Sequence, residues 1–252
     1  MPRAIPFAAL AAAAVTAAGP FLAAAQTQSK DDAGEARRAM VRVIEAKAAR
    51  TAPVTDVRDI DSRVMDAMRA VPRHAFVPAK LERYAYAPTP LPVTREQRLA
   101  APFLVALMTH LAEVAPGDRV FETGTGAGYH AAVLAEMGAE VVSVEVLGEV
   151  AEQARATLRK TGRDGVAVHV ADGYYGWSKG APYDAIIVKE AVGTVPPALL
   201  EQLAPGGKLV APIGPETGGQ QLTVVTKDGG GGTSRREVMP VQFTPLQGGD
   251  RI

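Results

Sequence analysis

The segment Val120-Phe121-Glu122-Thr123-Gly124-Thr125-Gly126-Ala127-Gly128-Tyr129 places Gly124, Gly126 and Gly128 between an apolar strand pattern and the start of a helical one. Glycine tolerates φ > 0 and lets a ligand lie against the main chain, and a helix start offers unpaired N–H donors. The spacing G-x-G-x-G brings the third glycine one residue earlier than the dinucleotide fingerprint G-x-G-x-x-G. That disfavours a gripped pyrophosphate and suits a nucleoside without phosphates. Glu145 ends the next apolar run about 20 residues on, where a carboxylate can accept hydrogen bonds from both ribose hydroxyls. Asp172, in Ala171-Asp172-Gly173, follows a third such run and can approach an adenine amino group at the same sheet edge. Glu122 either faces a cationic part of the ligand or organises the loop through backbone N–H groups. Each residue also has a plainer reading: glycines for a tight turn, Glu145 as a solvated strand end, Asp172 as a turn residue.

Those residues need a scaffold that brings successive strand ends together. From Arg119 onward strand and helix patterns alternate: strands at 119–122, 140–145, 166–170, 183–188 and 208–212, helices at 129–137, 150–160 and 197–203. Such alternation predicts an α/β, doubly wound, Rossmann-like and mostly parallel sheet with helices on both faces. Before it, apolar spacing predicts short helices at 39–49 and 62–71 and a longer one at 102–115, separated by a proline-rich loop from Tyr84 to Pro92. After it, residues 221–226 and 237–245 alternate apolar and polar around Gly229-Gly230-Gly231-Gly232, as an antiparallel hairpin does.

Several of these pieces together resemble one family. Val-Pro-Arg-His-Ala-Phe-Val-Pro (71–78), the glycine loop with Tyr129, Asp172-Gly173-Tyr-Tyr-Gly-Trp177, Pro182-Tyr-Asp-Ala-Ile-Ile-Val188 and Gln220-Gln221-Leu222 are similar to protein-L-isoaspartate O-methyltransferases. The resemblance runs from about Met40 to Leu246 and implies a class I methyltransferase fold with N-terminal helices and a C-terminal hairpin. It implies S-adenosylmethionine as cofactor, held by Glu122, Gly124, Thr125, Gly126, Gly128, Tyr129, Glu145, Asp172 and Gly173. It implies the carboxylate of isoaspartyl residues in damaged proteins or peptides as acceptor. The sequence departs from the family at the acceptor segment, usually G-Q-T-I-S-x-P: here Glu96-Gln97-Arg98-Leu99-Ala100-Ala101-Pro102 puts Ala100 at the serine and Arg98 at a threonine. Gln97 and Arg98 are the residues that can replace the lost hydroxyl. Lys189-Glu190 also follow Val188 where small residues are usual. A related methyltransferase with another carboxylate or peptide acceptor, or a cofactor-binding protein without turnover, therefore stays open.

Composition bounds the rest. With 27 basic and 27 acidic residues there is no electrostatic footprint for nucleic acid, and none is expected as a partner. The chain has no cysteine, so disulfides and thiolate chemistry are excluded and the redox compartment is left open. His74, His110, His130 and His169 lack metal-ligand spacing, so no metal site is expected. Trp177 and Tyr174-Tyr175 either border the adenine or pack beneath the loop. Arg3 precedes an uncharged, alanine-dominated stretch that closes with Ala23-Ala24-Ala25, which reads as a secretory signal peptide over residues 1–25. A flexible lead-in at 26–38 and a single domain at 39–252 follow. The expected mature protein is a periplasmic or secreted monomer without stable membrane association, with the cytoplasm as the alternative should the presequence not function.

Overall fold

The computed structural model describes residues 19–93, 98–215 and 218–248. Most of the expected signal peptide, and Gln97 of the acceptor segment, therefore lie outside the described residues. Two units meet between Glu35 and Ala36, and apart from the N-terminal part of the first helix all that follows belongs to the second. No helix among the described residues is long and apolar enough to cross a membrane.

Helix α1 spans Gly19–Thr55, longer than its apolar spacing predicts, and it runs through 26–38, where no regular structure was expected. That stretch lacks an apolar stripe but is rich in Gln, Ala, Lys, Glu and Arg, which favour helix without one. Met40, Val41, Ile44 and Ala48 are the buried apolar positions of α1 in the second unit. Helix α2 covers Ser62–Ala70, capped by the Asp61 side chain accepting from Arg63 N. The proline-rich loop delivers a short antiparallel ladder between β1 (Leu91–Pro92) and β2 (Arg98–Leu99). Helix α3, Pro102–Leu111, starts on its proline as expected.

The alternating part follows as β3 (Arg119–Glu122), α4 (Tyr129–Glu136), β4 (Glu140–Glu145), α5 (Gly148–Lys160), β5 (Ala167–Val170), β6 (Tyr183–Ile187), α6 (Pro197–Gln202), β7 (Leu203–Ile213), β8 (Gln220–Lys227) and β9 (Thr233–Val241). These strands form one sheet in the order β5-β4-β3-β6-β7-β8-β9. The first five are mutually parallel, and β8 and β9 add antiparallel at one edge, so the predicted hairpin continues the main sheet, with its second strand four residues earlier than the expected 237–245. Side chains alternate between two apolar layers. Val120, Ala185 and Val210 pack with α2, α3 and α4, whereas Phe121, Ile186 and Leu209 pack with Leu199 of α6. From β3 the chain winds outward to β4 and β5, then returns past β3 to β6 and β7. The order reverses at β3, so the carboxyl ends of β4, β3 and β6 flank the crevice where such sheets bind ligands.

One buried cation ties the N-terminal part to this crevice. Arg73 is 0% exposed; its Nε donates to Ala85 O at 2.8 Å and its Nη2 to Ala100 O at 2.7 Å. Its guanidinium lies 4.6 Å from the centre of the Tyr129 ring. Burial lowers the pKa of Arg73 and pushes the Tyr129 hydroxyl up to about 12, so the ring stays neutral and its face is available to the cation. Arg73→Ala is expected to cost about 1–3 kcal/mol for each of the two carbonyls left unpaired, read as a lower midpoint in urea unfolding. An unchanged midpoint would mean that water satisfies Ala85 and Ala100 equally well.

Candidate active site

The glycine loop is fixed from below before it meets any ligand. Glu145, at the end of β4, accepts from Gly126 N through Oε2 at 2.9 Å and from Leu147 N through Oε1 at 3.1 Å. Its carboxylate thereby holds the loop of β3 to the start of α5. Each oxygen keeps a lone pair beyond its backbone donor, which is what two ribose hydroxyls need. On the other side, Ser143 Oγ donates to Glu122 Oε1 at 2.7 Å and stands 2.6 Å from Thr125 Oγ1. The serine proton is committed to Glu122, so Thr125 is the donor to Ser143. Gly124, Gly126 and Gly128 all have positive φ, at 57°, 55° and 87°, the conformations for which glycine was expected.

Above this loop lies a cavity of about 670 Å³. Of the residues singled out in the sequence, Arg98, Ala100, Gly124, Thr125, Gly126, Tyr129, Glu145, Gly173, Lys189 and Glu190 line it. Donor-side and acceptor-side candidates are thus brought to one space. Three others are not part of its lining. Gly128 is the left-handed residue ahead of α4, and a side chain there would press on Leu158 at 3.3 Å. Asp172 caps the following turn, its Oδ1 accepting from Tyr174 N at 2.9 Å, while its neighbours Ala171 and Gly173 form the wall. Glu122 is 0% exposed and lies 3.0 Å from Lys189 Nζ. It organises the loop through Ser143, and Lys189 faces its other oxygen as an ion pair by distance that lacks the angles of a hydrogen bond.

The structure adds residues to which the sequence reading assigned no role. Thr123 Oγ1 donates to Glu190 Oε2 at 2.6 Å and accepts from Lys189 N at 3.1 Å, joining the end of β3 to the segment after β6. His130 lines the cavity with Nε2 at 2.8 Å from Thr109 Oγ1. The Thr109 hydroxyl donates to Val105 O at 2.8 Å, so Nε2 carries the hydrogen, and burial keeps the ring neutral by holding its pKa well below the usual histidine value. A further wall comes from residues 242–247. It is held by Gln220, whose Oε1 accepts from Phe243 N at 2.7 Å and whose Nε2 donates to Phe243 O at 3.1 Å. Gln220 was visible as part of the family resemblance, but its clamp on a segment 23 residues away has no local signature. Trp177 stacks on His169, ring centres 4.0 Å apart, away from the cavity wall, which is the packing alternative.

The cavity has room for a nucleoside and hydrogen-bond partners for its ribose. A Cβ added at Gly126 would meet nothing closer than Gly124 O at 3.7 Å, so the loop presents an open cradle. Lys189, the lysine lining this end, is engaged by Glu122, so it is not free to hold a phosphate. Among the described residues no cluster of His, Asp or Glu could hold a metal ion.

Comparison with known proteins agrees with this geometry. The sequence profile of the family described as Protein-L-isoaspartate(D-aspartate) O-methyltransferase (PCMT) matches residues 55–251. The chain is 46% identical over 219 residues to Protein-L-isoaspartate O-methyltransferase 2 of Syntrophobacter fumaroxidans, covering 87% of this chain and 89% of that protein. It is 45% identical over 209 residues to Protein-L-isoaspartate O-methyltransferase 2 of a Polaromonas species, covering 83% of this chain and 99% of that one. A solved protein-L-isoaspartate O-methyltransferase superposes with a TM-score of 0.72 at 26% identity, over 84% of this chain and 66% of its own.

Because the space above Gly126 is open, Gly126→Val is expected to fold and to fill the cradle. Binding of S-adenosylhomocysteine by titration calorimetry should be lost, with only the ~1–2 kcal/mol of strain that a side chain incurs at positive φ. Retained binding would remove Gly126 from the site.

Proposed function

Because the chain belongs to the protein-L-isoaspartate(D-aspartate) O-methyltransferase family, we propose that its cavity moves the methyl group of S-adenosylmethionine to the free carboxylate of L-isoaspartyl residues in damaged proteins and peptides. The observation that carries this reading is the convergence of the glycine loop, Glu145 and Gly173 with Arg98 and Ala100 around one cavity.

The cofactor, when bound, supplies an electrophilic methyl: a carboxylate oxygen forms the new C–O bond, the C–S bond breaks with its electrons to sulfur, and a methyl ester results. No proton has to move, since the acceptor is ionised near neutral pH. The protein's task is alignment, and ideal alignment lowers a barrier by about 7 kcal/mol or more. Glu145 and the Gly126 backbone set the nucleoside, while the 98–101 segment, held through Ala100 O by Arg73, sets the acceptor. Ala100 brings no hydroxyl. Arg98 lines the same cavity and is exposed, so its guanidinium is the group that can meet the acceptor carboxylate with a charge-assisted bond. Replacement of a neutral hydroxyl by a cation widens the acceptor range toward any peptide carboxylate of suitable reach, which is the second reading.

The alanine-rich leader supports a periplasmic or secreted site of action on aged proteins, with the chain acting as a monomer. Export would require the cofactor to reach that compartment, since S-adenosylmethionine is made in the cytoplasm. Residues 1–30 fused to a reporter active only outside the cytoplasm test this, and a silent reporter places the enzyme inside the cell.

The protein starting at Gln26 is expected to transfer labelled methyl from S-adenosylmethionine to an isoaspartyl peptide and not to its aspartyl twin. Ala100→Ser should preserve or raise that rate, and Arg98→Ala should raise KM for the peptide roughly tenfold to a hundredfold, the worth of one hydrogen bond to a charged group. Equal labelling of both peptides, or none, would move the acceptor elsewhere.

A further inference from the structure

Glu190 follows β6 at the cavity end away from the nucleoside subsite, and its position in the sheet gives it a task. Glu145 and Gly173 belong to β4 and to the turn after β5, so a ribose and base set by them lie over that side of β3. The rest of the cofactor, a methionine carrying an ammonium group, must then extend the other way, over β3 and the carboxyl end of β6. Glu190 lines the cavity there, and its carboxylate rests on the open face of Gly124: a side chain on Gly124 would coincide with it.

Glu122, the other acidic group at this end, is buried beneath the loop and paired with Lys189 at 3.0 Å, with its second oxygen taken by Ser143. Glu190 holds a neutral hydrogen bond from Thr123 and faces the cavity with its remaining acceptor capacity. The charged groups around it are Lys189 on its own segment, Glu122 on β3 and Glu145 on β4. Burial pushes its pKa up, the two neighbouring carboxylates add to the rise, and Thr123 and Lys189 oppose it. A half-buried carboxylate flanked by others is stabilised by an incoming cation, and an ammonium is one.

We propose that Glu190 is the carboxylate that binds the α-ammonium of the donor's methionine moiety, in a site where Lys189 has withdrawn Glu122 from that role. The proposal rests on the cofactor reading above and is independent of which acceptor is methylated.

The test is titration calorimetry with two probes on wild type, Glu190→Gln and Glu190→Asp. S-adenosylhomocysteine keeps the ammonium, and methylthioadenosine keeps the nucleoside but lacks the amino acid. Glu190→Gln should weaken S-adenosylhomocysteine roughly tenfold to a hundredfold and leave methylthioadenosine unchanged, which also reports that the variant is folded. Glu190→Asp, with the charge kept on a shorter arm, should recover part of the loss. The ammonium binds the ionised carboxylate, so wild-type affinity for S-adenosylhomocysteine should be full above the raised pKa of Glu190 and fall as pH drops through it, and Glu190→Gln should lack that step. Equal weakening of both probes would show a structural role and overturn the assignment, as would no weakening of either. Failure of wild type to bind S-adenosylhomocysteine would instead overturn the cofactor reading, and this assignment with it.

Discussion

The glycine loop after β3 has to do two incompatible things, expose its backbone to a ligand and stay in one conformation. Its glycines supply the first and forfeit side-chain packing, so rigidity must come from hydrogen bonds made from beneath. Glu145, itself held by Leu147 N, supplies one at Gly126 N, and the Thr125–Ser143–Glu122 chain supplies others at the loop's base. Both anchors sit on β3 and β4, whose parallel pairing fixes Glu122 opposite Ser143. A preorganised cradle of this kind avoids the ordering cost that a flexible loop would incur on every binding event.

The same logic of remote anchoring shapes the acceptor side. The short β1–β2 ladder has little intrinsic stability, and its neighbourhood is held by the Arg73 guanidinium reaching Ala85 and Ala100. Opposite it, the 242–247 wall has no regular structure beyond a bridge from Pro245 to Ala191 and is held by Gln220. In both cases a buried side chain with a planar, multi-dentate head replaces the secondary structure that the segment lacks. The cavity is therefore built from loops whose positions are set by residues outside it.

How much of this was legible in the sequence follows from the range of each interaction. Strand and helix patterns from Arg119 to Val241 depend on local periodicity, and the sheet follows from alternation plus the rule that parallel strands need crossovers. The glycine loop and Glu145 are legible because a ligand imposes residue types at fixed short spacing. Helix α1 exceeds its predicted length because composition without periodicity gives no boundary signal. Asp172 shows a different difficulty: a carboxylate after a strand suits both ligand and turn, and sequence spacing alone cannot separate the two. Glu122 was open between two roles for a similar reason, and the deciding partner, Lys189, is 67 residues away on another strand's end. Burial of Arg73 is equally non-local, since nothing in its own segment distinguishes a solvated arginine from one enclosed between Tyr129 and two carbonyls.

Lys189 and Glu190 make physical sense only as a pair. Lysine alone at 189 would neutralise Glu122 and leave this end of the cavity without a carboxylate for a cationic ligand. Glutamate alone at 190 would set a further carboxylate near Glu122 and Glu145 with no internal cation, and like charges at such spacing disfavour ionisation of one of them. Together they add no net charge and exchange one available carboxylate for another: Glu122 passes into a buried ion pair under the loop, and Glu190 takes the cavity face. Buried ion pairs contribute little net stability, because desolvation offsets attraction, so stability does not account for Lys189. What the exchange changes is the position of the free negative charge, from the base of the glycine loop to its open face, 68 residues later in the chain and directly beside Gly124.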